Sequence, residues 1–322
     1  MGFKESLNSN PITKRVYKFA KNKRDNAELK RRVTFKGQFI NRSSGKEKLC
    51  IVLAGYKPYL YDEVFGRLRS FISEDYDVCV VSSGKYDKTL EDICTKNQWS
   101  YLSTKENNVA LVQNAAISLH PNADYIFKLD EDIFITRGFF EKMIEAYEEA
   151  SVGDYKAGII APMIPINGFT HKLILERLNL ETQYEKLFEK PIFMAGPSRM
   201  IESSPDVARF FWGQGHFIPQ IDELNSLFSN RKKELIPCPV RFSIGAILFK
   251  RELIDNMGYI PVYRWSSGLG LDEMDICAYC INHSRPIMVT TNTVVGHFSF
   301  GPQTEGMKEF YKEHPERFRM KE

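Results

Sequence analysis

Two acidic stretches and one histidine in this 322-residue sequence are placed to do chemistry. Asp130-Glu131-Asp132 follows the apolar run Tyr125-Ile126-Phe127-Lys128-Leu129 and precedes Ile133-Phe134-Ile135. Carboxylates at i and i+2 just past a buried strand, where the chain turns, can both reach one hard cation. Mg2+ and Mn2+ take oxygen ligands and keep positions open for phosphate oxygens. A cation held by Asp130 and Asp132 would neutralise a diphosphate leaving group as a Lewis acid. A solvated turn could carry the same acids but would not need to be wedged between two apolar runs. In Gly268-Leu269-Gly270-Leu271-Asp272-Glu273-Met274-Asp275, glycines precede acids that open a helix. Such acids either suit the helix dipole, or one of them takes a proton from an incoming hydroxyl as a general base. Val294-Val295-Gly296-His297-Phe298 ends an apolar strand on a histidine, either a packed residue or a third metal ligand through its neutral imidazole.

These groups need a frame. Leu49–Leu53 reads as a first strand, Val78–Val81 as a second, Trp99–Leu102 as a short third, and Tyr125–Leu129 as the buried strand ahead of the acids. Helical spacing runs through Val64, Leu68 and Phe71, through 90–96, and through 109–119. Strands alternating with helices predict an α/β fold with a mostly parallel sheet. Ligands of such sheets bind beyond the carboxyl ends of the strands, where the acidic triplet and Ser82-Ser83-Gly84 both fall. Residues 150–240 hold many Pro and Gly and several short helical patterns. They read as an insertion over the cleft, where an acceptor would bind. Met307–Arg319 reads as a polar amphipathic helix. The expected division is a basic arm over 1–48, a main domain over 49–306 with its insertion at about 150–240, and a C-terminal helix over 307–322.

Charge is uneven along the chain. Residues 1–48 carry fourteen Lys and Arg against four Asp and Glu, and the remainder carries thirty against thirty-seven. The basic amphipathic stretch Ile12–Arg32 suits a peripheral contact with an anionic membrane surface, or is a solvated helix packed on the body. The opening Met-Gly-Phe-Lys-Glu-Ser fits the N-myristoylation pattern, as six residues readily do by chance. No run approaches the ~18 apolar residues needed to cross a bilayer, and there is no signal-peptide core; the expected location is cytoplasmic. The six cysteines are scattered through apolar segments, which reads as reduced thiols. Cys277 and Cys280 form a single CxxC with no second pair to complete a zinc site.

Taken in order, these stretches resemble the family 2 glycosyltransferases, which have the GT-A fold. The resemblance rests on Asn107–Asn114 (NNVALVQN), Tyr125–Asp132 (YIFKLDED), Ser243–Leu253 (SIGAILFKREL) and Asp272–Asp275 (DEMD), and covers residues 49–300. It implies a Rossmann-like sheet that binds a nucleotide-sugar donor. It also implies transfer of the sugar, with inversion, to a glycan or glycoconjugate hydroxyl, with Mn2+ or Mg2+ as cofactor. By the same resemblance Asp130 contacts the nucleotide ribose or the metal, Asp132 and His297 bind the metal, and Glu273 is the catalytic base with Asp272 in reserve. Ala54 and Tyr56 would lie near the nucleobase, with Ser83 and Asn114 in the donor site. Three positions depart from the family pattern. Ser82 and Ser83 stand where the second strand usually ends in an acid, Gln113 replaces an arginine, and the acidic order is Asp-Glu rather than Glu-Asp. They leave the donor open, and also which acid is the base. A nucleotidyltransferase would carry a Gly-rich, Arg-containing loop after the first strand, and AGYKPYL is not one. The alternative outside enzymes is an inactive scaffold that docks through the basic arm; no nucleic acid partner is expected.

Overall fold

The apolar runs become strands because helices cover both faces of the sheet they build. The computed structural model describes residues 11–321. In chain order the strands are β1 (Gly37–Ile40), β2 (Lys48–Leu53), β3 (Tyr76–Ser82), β4 (Ser100–Thr104), β5 (Tyr125–Asp130), β6 (Ile133–Phe134), β7 (Ile159–Met163), β8 (Leu235–Cys238), β9 (Ala246–Lys250), β10 (Ile287–Val294) and β11 (Gly296–His297). Nine of them form one sheet in the order β1-β4-β3-β2-β5-β9-β7-β10-β8, and β6 pairs with β11. β4, β3, β2 and β5 run parallel, as do β7 and β10. β1, β8 and β9 run against their neighbours. The fold is therefore mixed α/β, with a large and mostly parallel central sheet flanked by helices. Every residue of β3 and β4 is buried, as expected of parallel strands covered on both faces.

The connecting helices start where the sequence supplies a cap. Asp87 accepts from the backbone N–H groups of Thr89 and Leu90 at the head of Lys88–Asn97, and Asn108 accepts from Leu111 at the head of Val109–Leu119. Each satisfies donors that the first helical turn leaves orphaned. β2 is the pivot of the topology. β3 lies on one side of it and β5 on the other, so Leu53 is level with both Val81 and Asp130. The crevice outside such a switch of strand order is where ligands of open α/β sheets bind.

Four features differ from the sequence reading. Residues 37–40 are not part of a detached arm: β1 pairs with β4 along the sheet edge. The helix Pro11–Val33 packs on Val109–Leu119, and Arg32 donates to the carbonyls of Gly258 and Tyr259 at 3.0 and 2.8 Å. The stretch 150–240 is not all insertion, because β7 sits inside the sheet. The last long helix is Thr304–Glu313, earlier than expected, and Pro315 begins a separate short turn, since proline cannot continue the hydrogen-bond ladder. The myristoylation-like start lies outside the described residues. All six cysteines are buried and unpaired, with Cys277 and Cys280 on the buried face of the helix Leu271–Asn282. Among the described residues no helix is long and apolar enough to cross a membrane.

One buried ion pair joins parts of the chain 155 residues apart. Arg67, 1% exposed, meets Asp222 through both terminal nitrogens at 2.7 and 2.9 Å and also donates to the carbonyls of Ile135 and Phe318. Removing one partner of such a pair leaves an uncompensated buried charge, a loss of about 3–5 kcal/mol. Asp222→Ala should lower the urea-unfolding free energy by that amount; a loss near zero would show that the two carbonyls suffice for Arg67.

Candidate active site

The acidic triplet sits at the carboxyl edge of β5, and its three side chains go three ways. Glu131 is buried and turns back under the loop that follows β2. Its carboxylate accepts from Gly55 N at 2.8 Å and from Tyr56 N at 3.0 Å. Burial raises its pKa, and those backbone N–H groups oppose the rise. Asp132, 3% exposed, carries the Lys57 ammonium on Oδ2, and the same oxygen lies 3.5 Å from His297 Nε2. Although burial works against its ionised form, Lys57 and His297 hold Asp132 below the usual carboxylate range. Asp130 faces Lys128, whose Nζ is 2.6 Å from Oδ1. That oxygen is buried and lacks a properly directed hydrogen bond, and burial raises the Asp130 carboxyl.

Backbone pairing explains why His297 arrives there from 165 residues away. β11 aligns His297 with Ile133, the residue after Asp132, and Phe298 N donates to Asp132 O at 2.9 Å. Gly296 is required because Trp212 lies over it: a Cβ would come within 2.7 Å of the indole ring. Trp212 Nε1 in turn donates to His297 O. His297 Nδ1 is 3.1 Å from the carbonyl of Ile166. A proton on Nδ1 satisfies that carbonyl; Nε2 faces Asp132 as a proton donor in the protonated ring, and would offer its lone pair to a cation in the neutral one. This is how metal-ligating histidines are oriented by their outer hydrogen bond.

The donors present therefore suit a hard divalent cation, with one carboxylate and one imidazole converging and further positions left for phosphate oxygens and water. The three-ligand set of Asp130, Asp132 and His297 is not assembled. Among the described residues no group of three or more His, Cys, Asp or Glu side chains stands ready around one ion, and Asp130 is engaged by Lys128.

The second acidic stretch comes to the same place by the antiparallel course of β9. Its amino end lies over the carboxyl end of β5, so Gly245 O accepts from Asp130 N at 2.8 Å. A Cβ at 245 would crowd Ile133 at 3.0 Å and lie in ordinary contact with Asp130 Oδ2 at 3.5 Å. Ile244 then joins the two acidic motifs: its carbonyl accepts from Lys128 Nζ at 2.9 Å, and its N–H donates to Glu273 Oε2 at 3.3 Å. Glu273 Oε1 is 2.8 Å from Arg241 Nη1, and Arg241 Nη2 reaches Glu202 at 3.0 Å. Burial pushes the Glu273 carboxyl up to about 7, with Arg241 and the Ile244 N–H opposing. Asp272 points inward instead and accepts from Gln113 Nε2 at 2.9 Å.

The residues expected in the donor site divide. Tyr56 is exposed and donates its hydroxyl to Ser83 O at 2.6 Å; Ser83 Oγ reaches Asn107 at 3.2 Å, and the Lys85 ammonium lies 4.8 Å from the Tyr56 ring centre. Ala54 is buried, and its N–H donates to Val81 O. These three line the carboxyl ends of β2 and β3. Asn114 does not join them, which corrects its assignment to the donor site. It is fully buried, and its amide donates to the carbonyls of Ile260 and Arg32 while its oxygen accepts from Ile260 N. Glu131, Lys57, Lys128 and Arg241 are the site residues that the sequence reading did not single out. A recess lined by Arg42, Arg69, Asp77 and Trp99 lies at the opposite, amino end of β3.

No protein-family model matches the chain, and no curated protein matches it. Among solved structures it is similar to the mannosyltransferase PcManGT from Pyrobaculum calidifontis in complex with GDP-Man and Mn2+, at 13% identity over 85% of this chain and 62% of that one, with a TM-score of 0.45. It is also similar to S. aureus TarS 1-349 in complex with UDP, at 12% identity over 82% of this chain and 62% of that one, with a TM-score of 0.44. The chain spans less than two thirds of either structure.

If Asn114 is a clamp, Asn114→Ala leaves buried backbone groups unpaired and costs about 1–3 kcal/mol. Urea unfolding measures this, and the Glu273 carboxyl should titrate unchanged by NMR. A stable Asn114→Ala protein would return Asn114 to the list of ligand-binding residues.

Proposed function

We propose that the chain is a metal-dependent glycosyltransferase of GT-A architecture. It moves a sugar from a nucleotide diphosphate-sugar to a hydroxyl of a glycan or glycoconjugate, with inversion. The observation that carries this reading is the convergence of Asp132 and His297 at the switch between β2 and β5, with Glu273 held on the other side of Ile244. Tyr56 and Ser83 suit the nucleoside end of the donor, at the carboxyl ends of β2 and β3. Asp132 and His297 Nε2 would hold Mn2+ or Mg2+, with Asp130 beside them. A divalent cation bound there neutralises charge on the departing diphosphate.

Glu273 is the general base of this reading. Its Oε1 is oriented by Arg241 and its Oε2 by the Ile244 N–H. It takes the proton of the acceptor hydroxyl as that oxygen bonds to the anomeric carbon and the bond to the diphosphate oxygen breaks. Asp272, turned toward Gln113, is the reserve. A base must be ionised to work, so turnover should rise with pH up to about 7 and level off above it. Arg241→Met removes a neighbouring positive charge and should move that limb to higher pH; an acid limb indifferent to both Glu273→Gln and Arg241→Met would sink this assignment.

The basic helix suits an anionic membrane surface. Arg15, Tyr17, Lys18, Phe19, Lys21, Lys23 and Arg24 are all exposed, Phe19 to 72%. Flotation with anionic vesicles, set against binding to RNA, tests that contact.

Metal-dependent binding and turnover across a panel of nucleotide-sugars, with Mn2+, Mg2+ or EDTA, is the deciding experiment. One donor should turn over, and Asp132→Ala should slow it by roughly 10²–10³-fold, as loss of several kcal/mol of charge stabilisation requires. A folded protein that binds no donor would favour the scaffold reading instead.

A further inference from the structure

The cation that neutralises Asp132 in this structure is the chain's own. Lys57 Nζ sits on Asp132 Oδ2, the oxygen that also faces His297 Nε2 at 3.5 Å. A divalent ion shared by Asp132 and His297 would have to take up the space of that ammonium, since two cations on one carboxylate oxygen repel.

The two lysines of the site are not alike. Lys128 is 4% exposed, donates to Ile244 O and has no open direction to leave by. Lys57 is 24% exposed against 4% for its partner Asp132, so it reaches in from the cleft side. Its backbone is fixed, because Glu131 holds the N–H groups of Gly55 and Tyr56 just before it. Its flexible four-carbon stem leaves the ammonium free to swing. Phosphate oxygens arriving in the cleft offer that ammonium a second anion, and lysine binds phosphate as a point charge.

We propose that Lys57 is a resident counter-cation that closes the metal position on Asp132 until a nucleoside diphosphate group draws it away, so that metal and donor bind together. The inference rests on the glycosyl-transfer reading above for the identity of the anion. Its geometric basis is the single oxygen shared by Lys57 and His297. Removing the ammonium should let metal bind alone, and should weaken the hold on the diphosphate.

The test is direct Mn2+ binding, read by the EPR signal of free Mn2+, without donor and then with UDP or GDP. Wild type should bind Mn2+ weakly alone and more tightly with the nucleoside diphosphate. Lys57→Met should bind Mn2+ alone about tenfold more tightly, with less gain on adding UDP or GDP. Lys57→Arg, which keeps a cation, should behave like wild type, and circular dichroism confirms that each variant is folded. Lys57→Met that binds Mn2+ no tighter than wild type overturns the proposal, and intact UDP or GDP binding then leaves the enzyme reading standing. Tightened Mn2+ binding in Lys57→Met with no UDP or GDP binding by any form supports the counter-cation role and removes the transferase reading instead.

Discussion

The site is organised by a carboxylate that never faces the cleft. Glu131 is 7% exposed and spends its charge on the backbone N–H groups of Gly55 and Tyr56. A buried carboxylate must find such donors or be neutralised. Here the donors belong to the loop after the neighbouring strand. The bond therefore locks the end of β2 to the end of β5 across the switch in strand order. Everything on that loop inherits its position: Tyr56 over the end of β3, and Lys57 over Asp132. The two outer acids can point into the cleft because the middle one points away. The turn that begins at Glu131 allows that division.

Each acid of the cleft has its own partner, which is a cation or backbone amides for four of them and a neutral side-chain amide for Asp272. Asp130 has Lys128, Glu131 has the loop amides, Asp132 has Lys57 and His297, Asp272 has Gln113, and Glu273 has Arg241. Five carboxylates so close together would repel strongly in a partly dry site. Separate partners keep them from sharing protons, and they let Asp132 and Glu273 shift in opposite directions. Asp132 is held below the usual range, while Glu273 is raised to about 7. Carboxyls whose environments push them apart in this way can divide ion binding from proton transfer.

Much of the frame was legible in the sequence. The alternation of apolar runs and helical spacing gives the parallel strands β2, β3, β4 and β5 and the helix Val109–Leu119, because those runs need cover on both faces. The antiparallel direction of β9 and the existence of the edge strand β1 were not legible. Their pairing is set by partners more than sixty residues away, and short strands carry no mark of direction. The acids and His297 could be read as candidates from their places at strand ends. Asn114 was misread because a buried clamp and a ligand-binding amide look identical in one sequence. Lys128 had a signal that went unused: a lysine inside an apolar strand, two residues before Asp130 and so on the same face, must have a partner. Arg241 had none, since Glu202 and Glu273 reach it only through the fold.

Two departures of this sequence from the pattern it resembles make sense together. Gln113 donates to Asp272 through a neutral amide, so the negative charge of Asp272 is not cancelled. That charge adds to the rise of Glu273 and of Asp130. An arginine at 113 would neutralise Asp272 and lower both. With a glutamine there, the acid best suited to accept a proton near neutral pH is the one beside Asp272. Glu273 is also one methylene longer, which lets it reach Arg241 and the Ile244 N–H from the first turn of its helix. Arg241 continues to Glu202 on the short helix Met200–Ser203. Glu273 is thereby linked through one guanidinium to that short helix. Any movement of that helix would shift the guanidinium beside Glu273, and with it one of the groups that oppose the rise of its carboxyl.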